Sequence, residues 1–296
     1  MKEIAMNDFT RLKNKLIIVI TVNLFISLSQ IIGGIISGSL ALISDSVHNL
    51  GDTFSIFISL IAIVVARKSS NQRYTYGYKR AEIIASTFNS AILIFIALLL
   101  GKEAISRINK TEAVRGSIMF VFGLLGVVVN FVSAMIIHYE SKRKLVIKST
   151  YLHLLTDSLT SVSVIVGSFF IILFGAYFVD SVITLLVCVF ILKESVKLLL
   201  ESVEILMQKA PASISIPQMI KELENIEGIK DVHHVHLWRL NDDSVFFECH
   251  VTLDSNIVVE ELDKIRKKIE ALLTGKFGIS HTTIQFESRC SENKTN

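Results

Sequence analysis

Between Leu16 and Leu192 the chain is built of apolar runs long enough to cross a bilayer, which takes ~20 mostly apolar residues. The runs fall at about Leu16–Ile36, Leu40–Ala66, Ile83–Leu100 and Ile118–His138, with a fifth ending near Phe174 and a sixth near Leu192. Inside hydrocarbon every backbone polar group needs an internal partner, so each run can only be a helix. With 51% hydrophobic residues in 296, the chain is too apolar for an ordinary soluble protein. The formal charge of +3 is small and its basic residues are dispersed to the ends of the runs, which excludes a nucleic-acid partner. Cys188, Cys249 and Cys290 are widely spaced without CxxC, so neither a zinc knuckle nor a disulfide framework is expected, only isolated thiols in a reducing compartment. No cleavable signal peptide is expected, because the first run follows a charged arm, Met1–Lys15, and is itself long enough to span.

The second run contains Gly38-Ser-Leu-Ala-Leu-Ile-Ser-Asp-Ser-Val-His-Asn-Leu-Gly-Asp52. Asp45, His48 and Asp52 stand at i, i+3 and i+7, on one face of a helix. Ionisable groups at membrane depth cost ~2.5 to 3.5 kcal/mol each on insertion scales, so three on one face require partners or a ligand. The fifth run repeats the pattern in Tyr151-Leu-His-Leu-Leu-Thr-Asp157, where His153 and Asp157 stand four apart. Two His and two Asp can close a four-ligand metal site; helix–helix hydrogen bonds or a solvated cavity are the alternatives. His153 comes soon after its run begins whereas His48 lies deeper in its own, so for the pairs to meet the fifth helix must start within Lys144–Lys148 or tilt. Asn23, Ser27 and Gln30 share a face of the first run, as a polar lining or a contact with a neighbouring helix.

Basic residues number four in the N-terminal arm, five between the second and third runs and four between the fourth and fifth. By the positive-inside rule both termini face the cytoplasm; four basic residues between the third and fourth runs point the other way.

The composition changes at Pro211 and Pro217, the two prolines of the chain, which mark a domain boundary near residue 209. Beyond it we expect a helix over 218–228, strands over Asp231–Leu240 and Ser244–Asp254 joined by an Asn-Asp-Asp turn, a helix over Val258–Lys276 with apolar spacing at Leu262, Ile265, Ile269 and Leu272, and a last strand over His281–Glu287. The sequence therefore divides into a membrane domain of six transmembrane helices, residues 1–208, and a small cytoplasmic α/β domain, residues 209–296. A domain that small is marginal alone, so dimerisation through it is expected.

Taken in order, the Gly38–Asp52 stretch, Tyr76-Gly-Tyr-Lys-Arg-Ala-Glu82, His153-Leu-Leu-Thr-Asp157, Ser202-Val-Glu-Ile-Leu-Met207 and Val235-His-Leu-Trp238 resemble the cation diffusion facilitator family of zinc transporters, in its zinc and cadmium branch. The resemblance covers nearly the whole chain. It implies a homodimer with six spans per subunit, a ferredoxin-like, metallochaperone-like cytoplasmic domain, and exchange of a divalent cation for protons. It also implies that His48, Asp52, His153 and Asp157 hold the transported ion, and that His233, His250 and Glu287 bind metal in the cytoplasmic domain, with His281 and Gln285 as further candidates and His234 and His236 as exposed or structural residues. A second metal site found in the family after the second span is not expected, because Asn71-Gln-Arg-Tyr-Thr-Tyr-Gly-Tyr78 has no His, Asp or Glu at the matching positions. The absence of a His-rich loop favours a bacterial inner membrane.

Two imidazoles and two carboxylates suit tetrahedral Zn2+, with cadmium and cobalt as further cargo. Metal binding requires neutral imidazole, so His48, His153 or the adjacent carboxylates are the natural carriers of counter-transported protons. Asp45, one turn away on the same face, either extends that proton path or makes a helix-packing hydrogen bond, the second being the expected role. The four ligands leave no open coordination position and HExxH is missing, which speaks against hydrolysis; the competing readings are a membrane metalloenzyme or a metal sensor that keeps the fold without transport.

Overall fold

A computed structural model describes residues 2–66, 70–108, 113–141, 145–241, 244–253 and 258–287, without the side chains of 2–16, 55, 56, 58–66, 82, 137, 139–141, 145–153, 155, 156 and 159. Six long helices come first: α1 Lys2–Ser37, α2 Leu40–Ala66, α3 Ala81–Ile108, α4 Gly116–Ser141, α5 Leu145–Phe174 and α6 Phe178–Leu206. Then follow α7 Ile216–Glu224, β1 Ile229–Asn241, β2 Ser244–Leu253, α8 Val259–Phe277 and β3 His281–Glu287. Contacts divide the chain into two compact units, Met1–Val64 with Ala85–Leu199, and Val65–Ile84 with Leu200–Asn296.

In the first unit polarity is inverted relative to a soluble protein. Large apolar side chains face outward, Phe25, Phe95, Phe174 and Leu186 among them, while Asn23, Ser27, Gln30, Asn49, Asn130 and Ser161 are buried. That arrangement is stable only where the surroundings are apolar. Among the described residues, Ile17–Ser37, Ile83–Ile108 and Gly116–Ile136 are long and apolar enough to cross a membrane by themselves. Small residues let the helices approach. A Cβ on Gly167 would stand 2.2 Å from Ile183, and one on Gly126 2.3 Å from Gln30 Nε2.

Gly38, at φ +75°, breaks the chain between α1 and α2. The new N-terminus of α2 is capped from a distance: Asp180, in the first turn of α6, accepts hydrogen bonds from Ser39 Oγ and from the backbone N–H of Leu40 at 2.8 Å and Ala41 at 3.4 Å. A carboxylate there answers both the orphan donors and the positive end of the helix dipole.

Some boundaries of the long helices differ from those expected, and one agrees. The arm before Leu16 is already helical from Lys2, because no proline or glycine interrupts it. α6 runs on past Leu192 to Leu206 because Lys193, Glu194, Lys197, Glu201 and Glu204 are good helix formers; hydropathy marks the end of an apolar run, not of a helix. α5 begins at Leu145, inside the window that the His153 register requires.

In the second unit β1 pairs antiparallel with β2, and β2 pairs in parallel with β3 through the α8 crossover, in the order β1-β2-β3. With α7 in front this is the β-α-β-β-α-β unit less its first strand among the described residues, so the strands joined by α8 pair directly. Ser215 caps α7, with Pro217 in the first turn, and Gly278 at φ +67° ends α8. The core is Met219, Leu223, Phe247, Val251, Ile265, Ile269 and Leu273 with their neighbours, all from residues 210–286. In the last turns of α8 the buried position after Ile269 is Leu273; Leu272, expected there, packs at the margin.

Candidate functional site

Helical spacing builds the first site. His48 and Asp52, four apart on α2, lie on one face, with His48 Nδ1 3.5 Å from Asp52 Oδ2. Across the interface Asp157 of α5 brings Oδ1 to 3.6 Å from His48 Nε2. The three side chains offer ligand atoms within 4.8 Å of one another; His48 and Asp157 are buried and Asp52 is half-buried. Phe190 of α6 meets the His48 ring edge-on, centroids 5.5 Å apart, and restrains it. His153 stands one turn before Asp157 on α5, and its side chain lies outside the described residues.

Asp45 is turned to other work. Its carboxylate accepts hydrogen bonds from Ser161 Oγ at 2.7 Å, Thr160 Oγ1 at 3.0 Å and Gln30 Nε2 at 3.5 Å, tying α2 to α5 and α1. Gln30 also donates to the Phe122 carbonyl of α4 at 3.4 Å. Asn23 Nδ2 reaches Ser133 Oγ at 3.5 Å, so the polar face of α1 packs against α4 as well as α2, and Asn130 Nδ2 reaches Asn49 Oδ1 at 3.4 Å, joining α4 to α2. These bonds set the relative register of α2 and α5, and through it the distance between His48 and Asp157. Sequence reading missed the contribution of Thr160 and Ser161, since a hydroxyl pair in an apolar run is ordinary until its carboxylate partner is known.

Strand register builds the second site. His233 of β1 stands opposite His250 of β2, and Glu287 of β3 stands beside them. His250 Nδ1 lies 2.9 Å from Glu287 Oε1, His233 Nε2 lies 3.3 Å from Glu287 Oε2, and all three residues offer atoms within 4.8 Å. His233 Nε2 and Glu287 Oε2 are buried yet make no hydrogen bond, a geometry of lone pairs converging on a common point. Asp231 Oδ2 lies 2.9 Å from His233 Nδ1, a carboxylate at ion-pair distance from the ring although that nitrogen makes no hydrogen bond. Asp231 was not anticipated from the sequence. Gln285 donates to Glu287 Oε1 at 3.0 Å and so positions it, whereas His281 packs against Phe246 at the other end of β3. A bulge between His233 and His236, with His234 at φ +49°, breaks the alternation of faces. His234 and His236 are exposed, with Nε2 atoms 3.3 Å apart, and the His234 ring lies 4.7 Å from that of His250.

The cation efflux transmembrane domain model matches residues 16–207, and the cation efflux protein cytoplasmic domain model matches residues 211–289. The chain is 36% identical over 261 residues to the cadmium, cobalt and zinc/H(+)-K(+) antiporter of Bacillus subtilis, covering 88% of this chain and 84% of that protein. It is 32% identical over 260 residues to the metal cation efflux system protein CzcD of Cupriavidus metallidurans, with 88% and 82% covered. It is 31% identical over 276 residues to the zinc transporter ZitB of Yersinia pseudotuberculosis, with 92% and 87% covered. With apolar helices enclosing one His–Asp cluster and an α/β domain holding another, the chain belongs to the cation efflux family, multi-pass membrane transporters of metal cations and not enzymes.

Proposed function

We propose that the chain exports Zn2+ from the cytoplasm in exchange for protons, with His48, Asp52, His153 and Asp157 as the transport site. The observation that carries this reading is the buried convergence of His48, Asp52 and Asp157, two carboxylates and an imidazole from two helices within 4.8 Å. Names of relatives that include zinc, cadmium and cobalt transport support the cargo, and an H(+) antiporter among them supports the exchange. Bacterial relatives support a bacterial inner membrane. All six long helices span in this reading, both termini are cytoplasmic, residues 209–296 regulate, and two subunits associate as the match to a dimer-forming cytoplasmic domain suggests.

The chemistry of exchange follows from His48. Its two ring nitrogens each face a carboxylate, at 3.5 and 3.6 Å, which favours a protonated ring, and a divalent ion competes with the proton for a ring lone pair. Two carboxylates with Zn2+ and a neutral imidazole carry no net charge, the cheapest state at membrane depth. Once the ion leaves, the carboxylates draw a proton back. Proteoliposomes carrying an internal zinc dye and a pH dye test this. Zinc entry coupled to proton movement is the expected result. Metal binding without flux would replace it with a sensor, and turnover of a substrate without flux with a metalloenzyme.

A further inference from the structure

Within the second unit, the segment between α2 and α3 meets the β1–β2 hairpin around a hollow of about 430 Å3. That volume is in the range of a small-molecule site. Arg73, Lys79 and Arg80 line it from one side, and Trp238, Phe246 and Gln208 from the other. No carboxylate among the described residues lines it. Among the described residues Lys79 Nζ has a neutral partner, Ser244 Oγ at 3.1 Å, and Arg80 Nε is buried without a hydrogen bond. Three cations around one hollow repel one another, and a buried guanidinium N–H left unmade is costly, so the arrangement calls for an anion. It also excludes a metal ion.

The walls say more about that anion. Trp238 stacks on Phe246 with centroids 5.7 Å apart, and Tyr76 meets Phe246 edge-on at 5.3 Å, giving an apolar side beside the charged one. Arg and Lys together recognise phosphate, Arg by its planar fork and Lys as a point charge. Arg80 immediately precedes α3, whose apolar stretch begins at Ile83, about 5 Å further along the helix. Phospholipid headgroups lie at that depth, where Trp and Tyr are also favoured. We propose that this hollow binds a phosphate-bearing anion, through Arg73, Lys79 and Arg80, with its non-ionic part against Trp238. A lipid headgroup and a soluble phosphate share that chemistry.

Trp238 is the sole tryptophan of the chain, so tryptophan emission reads this hollow alone. The full-length protein in detergent is titrated with dihexanoyl phosphatidylglycerol, inorganic phosphate and, as the zwitterionic control, dihexanoyl phosphatidylcholine. The expected result is a saturable change with phosphatidylglycerol at a concentration roughly tenfold below any change with phosphatidylcholine, the worth of one charge-assisted hydrogen bond. Arg73→Gln/Arg80→Gln should weaken it by a similar factor while the elution volume on size exclusion stays unchanged; Lys79→Gln is the substitute if that protein does not fold. If phosphate matches the lipid, the ligand is a soluble phosphate ester; if only the lipid acts, it is a headgroup. Equal responses to the two lipids, no response to either anion, or an undiminished response in the folded variants would overturn the proposal.

Discussion

The two His–carboxylate clusters join the same kinds of group, imidazole and carboxylate, on opposite structural logic. In the membrane unit, His48 and Asp52 are neighbours because a helix brings every fourth residue back to the same face, and Asp157 completes the group from α5. In the cytoplasmic domain, His233, His250 and Glu287 come from three strands and meet only because the strand register puts them side by side. The first cluster sits among buried hydroxyls and amides that hold its helices together; the second is half-buried at the surface of a sheet whose apolar core lies elsewhere. On the proposed reading the difference follows from use: a cluster on an ion path has to be enclosed and fixed by packing, whereas one that responds to free metal has to stay open to solvent.

If that contrast holds, substitutions in the two clusters diverge, and the largest effect belongs to the membrane. Asp157→Asn or His48→Ala should reduce zinc flux in proteoliposomes to the level of protein-free vesicles, with the protein still folded by size exclusion. Near-normal flux in both would break the assignment. His48→Asp replaces a nitrogen ligand by a harder oxygen, so competition assays should move away from Zn2+ toward Mn2+. An unchanged preference would remove His48 from the ligand set.

A smaller effect is expected one layer out. Gly126→Ala would place a methyl 2.3 Å from Gln30 Nε2, displacing that amide from Asp45 and from the Phe122 carbonyl, while Ser161 Oγ at 3.4 Å is left in ordinary contact. Loss of such buried hydrogen bonds costs about 1–3 kcal/mol each, so thermal stability should fall in detergent, and flux with it, while zinc selectivity is retained. Altered selectivity would mean that the Asp45 network touches the ion.

In the cytoplasmic domain the effect is on regulation. Residues 209–296 hold their own core and should fold as a fragment. A ligand present at a hundredfold excess over its Kd stabilises the folded form by about 2.7 kcal/mol, so zinc should raise the melting temperature of the fragment and His250→Ala should reduce that rise. Full-length His250→Ala should transport more slowly but not stop. Complete loss of flux in a folded protein would merge the two sites into one function.

The smallest effect tests burial in the same sheet. Burial, helped by the charge of Glu248, pushes the Cys249 thiol up to about 12. The fold therefore favours the protonated thiol: its contribution is complete below pH 9, the ordinary value, and is lost as pH rises toward 12. In a Cys290→Ser background a thiol reagent at pH 8 should label Cys249 only after denaturant is added. Prompt labelling of the native fragment would show that this sheet opens readily.

Local patterns made much of this protein legible before any coordinates. Apolar runs of spanning length announced helices, and ionisable residues within them announced a site, because hydrocarbon penalises both unpaired backbone and unpaired charge. His48 and Asp52 could be paired from the sequence because the helical repeat is a local property. The proline pair marked the change of composition, and turn and strand patterns placed β1, β2, α8 and β3 to within two residues. Tertiary structure alone decided that Asp45 turns to Thr160, Ser161 and Gln30 while His48 turns to Asp157, although all three α2 residues share a face. It also decided that Asp180 caps a helix some 140 residues earlier in the chain, and that Asp231 backs His233 while His281 stands apart. These contacts depend on the axial register of neighbouring helices and the pairing register of strands, which are set by packing summed over whole elements and leave no mark in the spacing of residues along one of them.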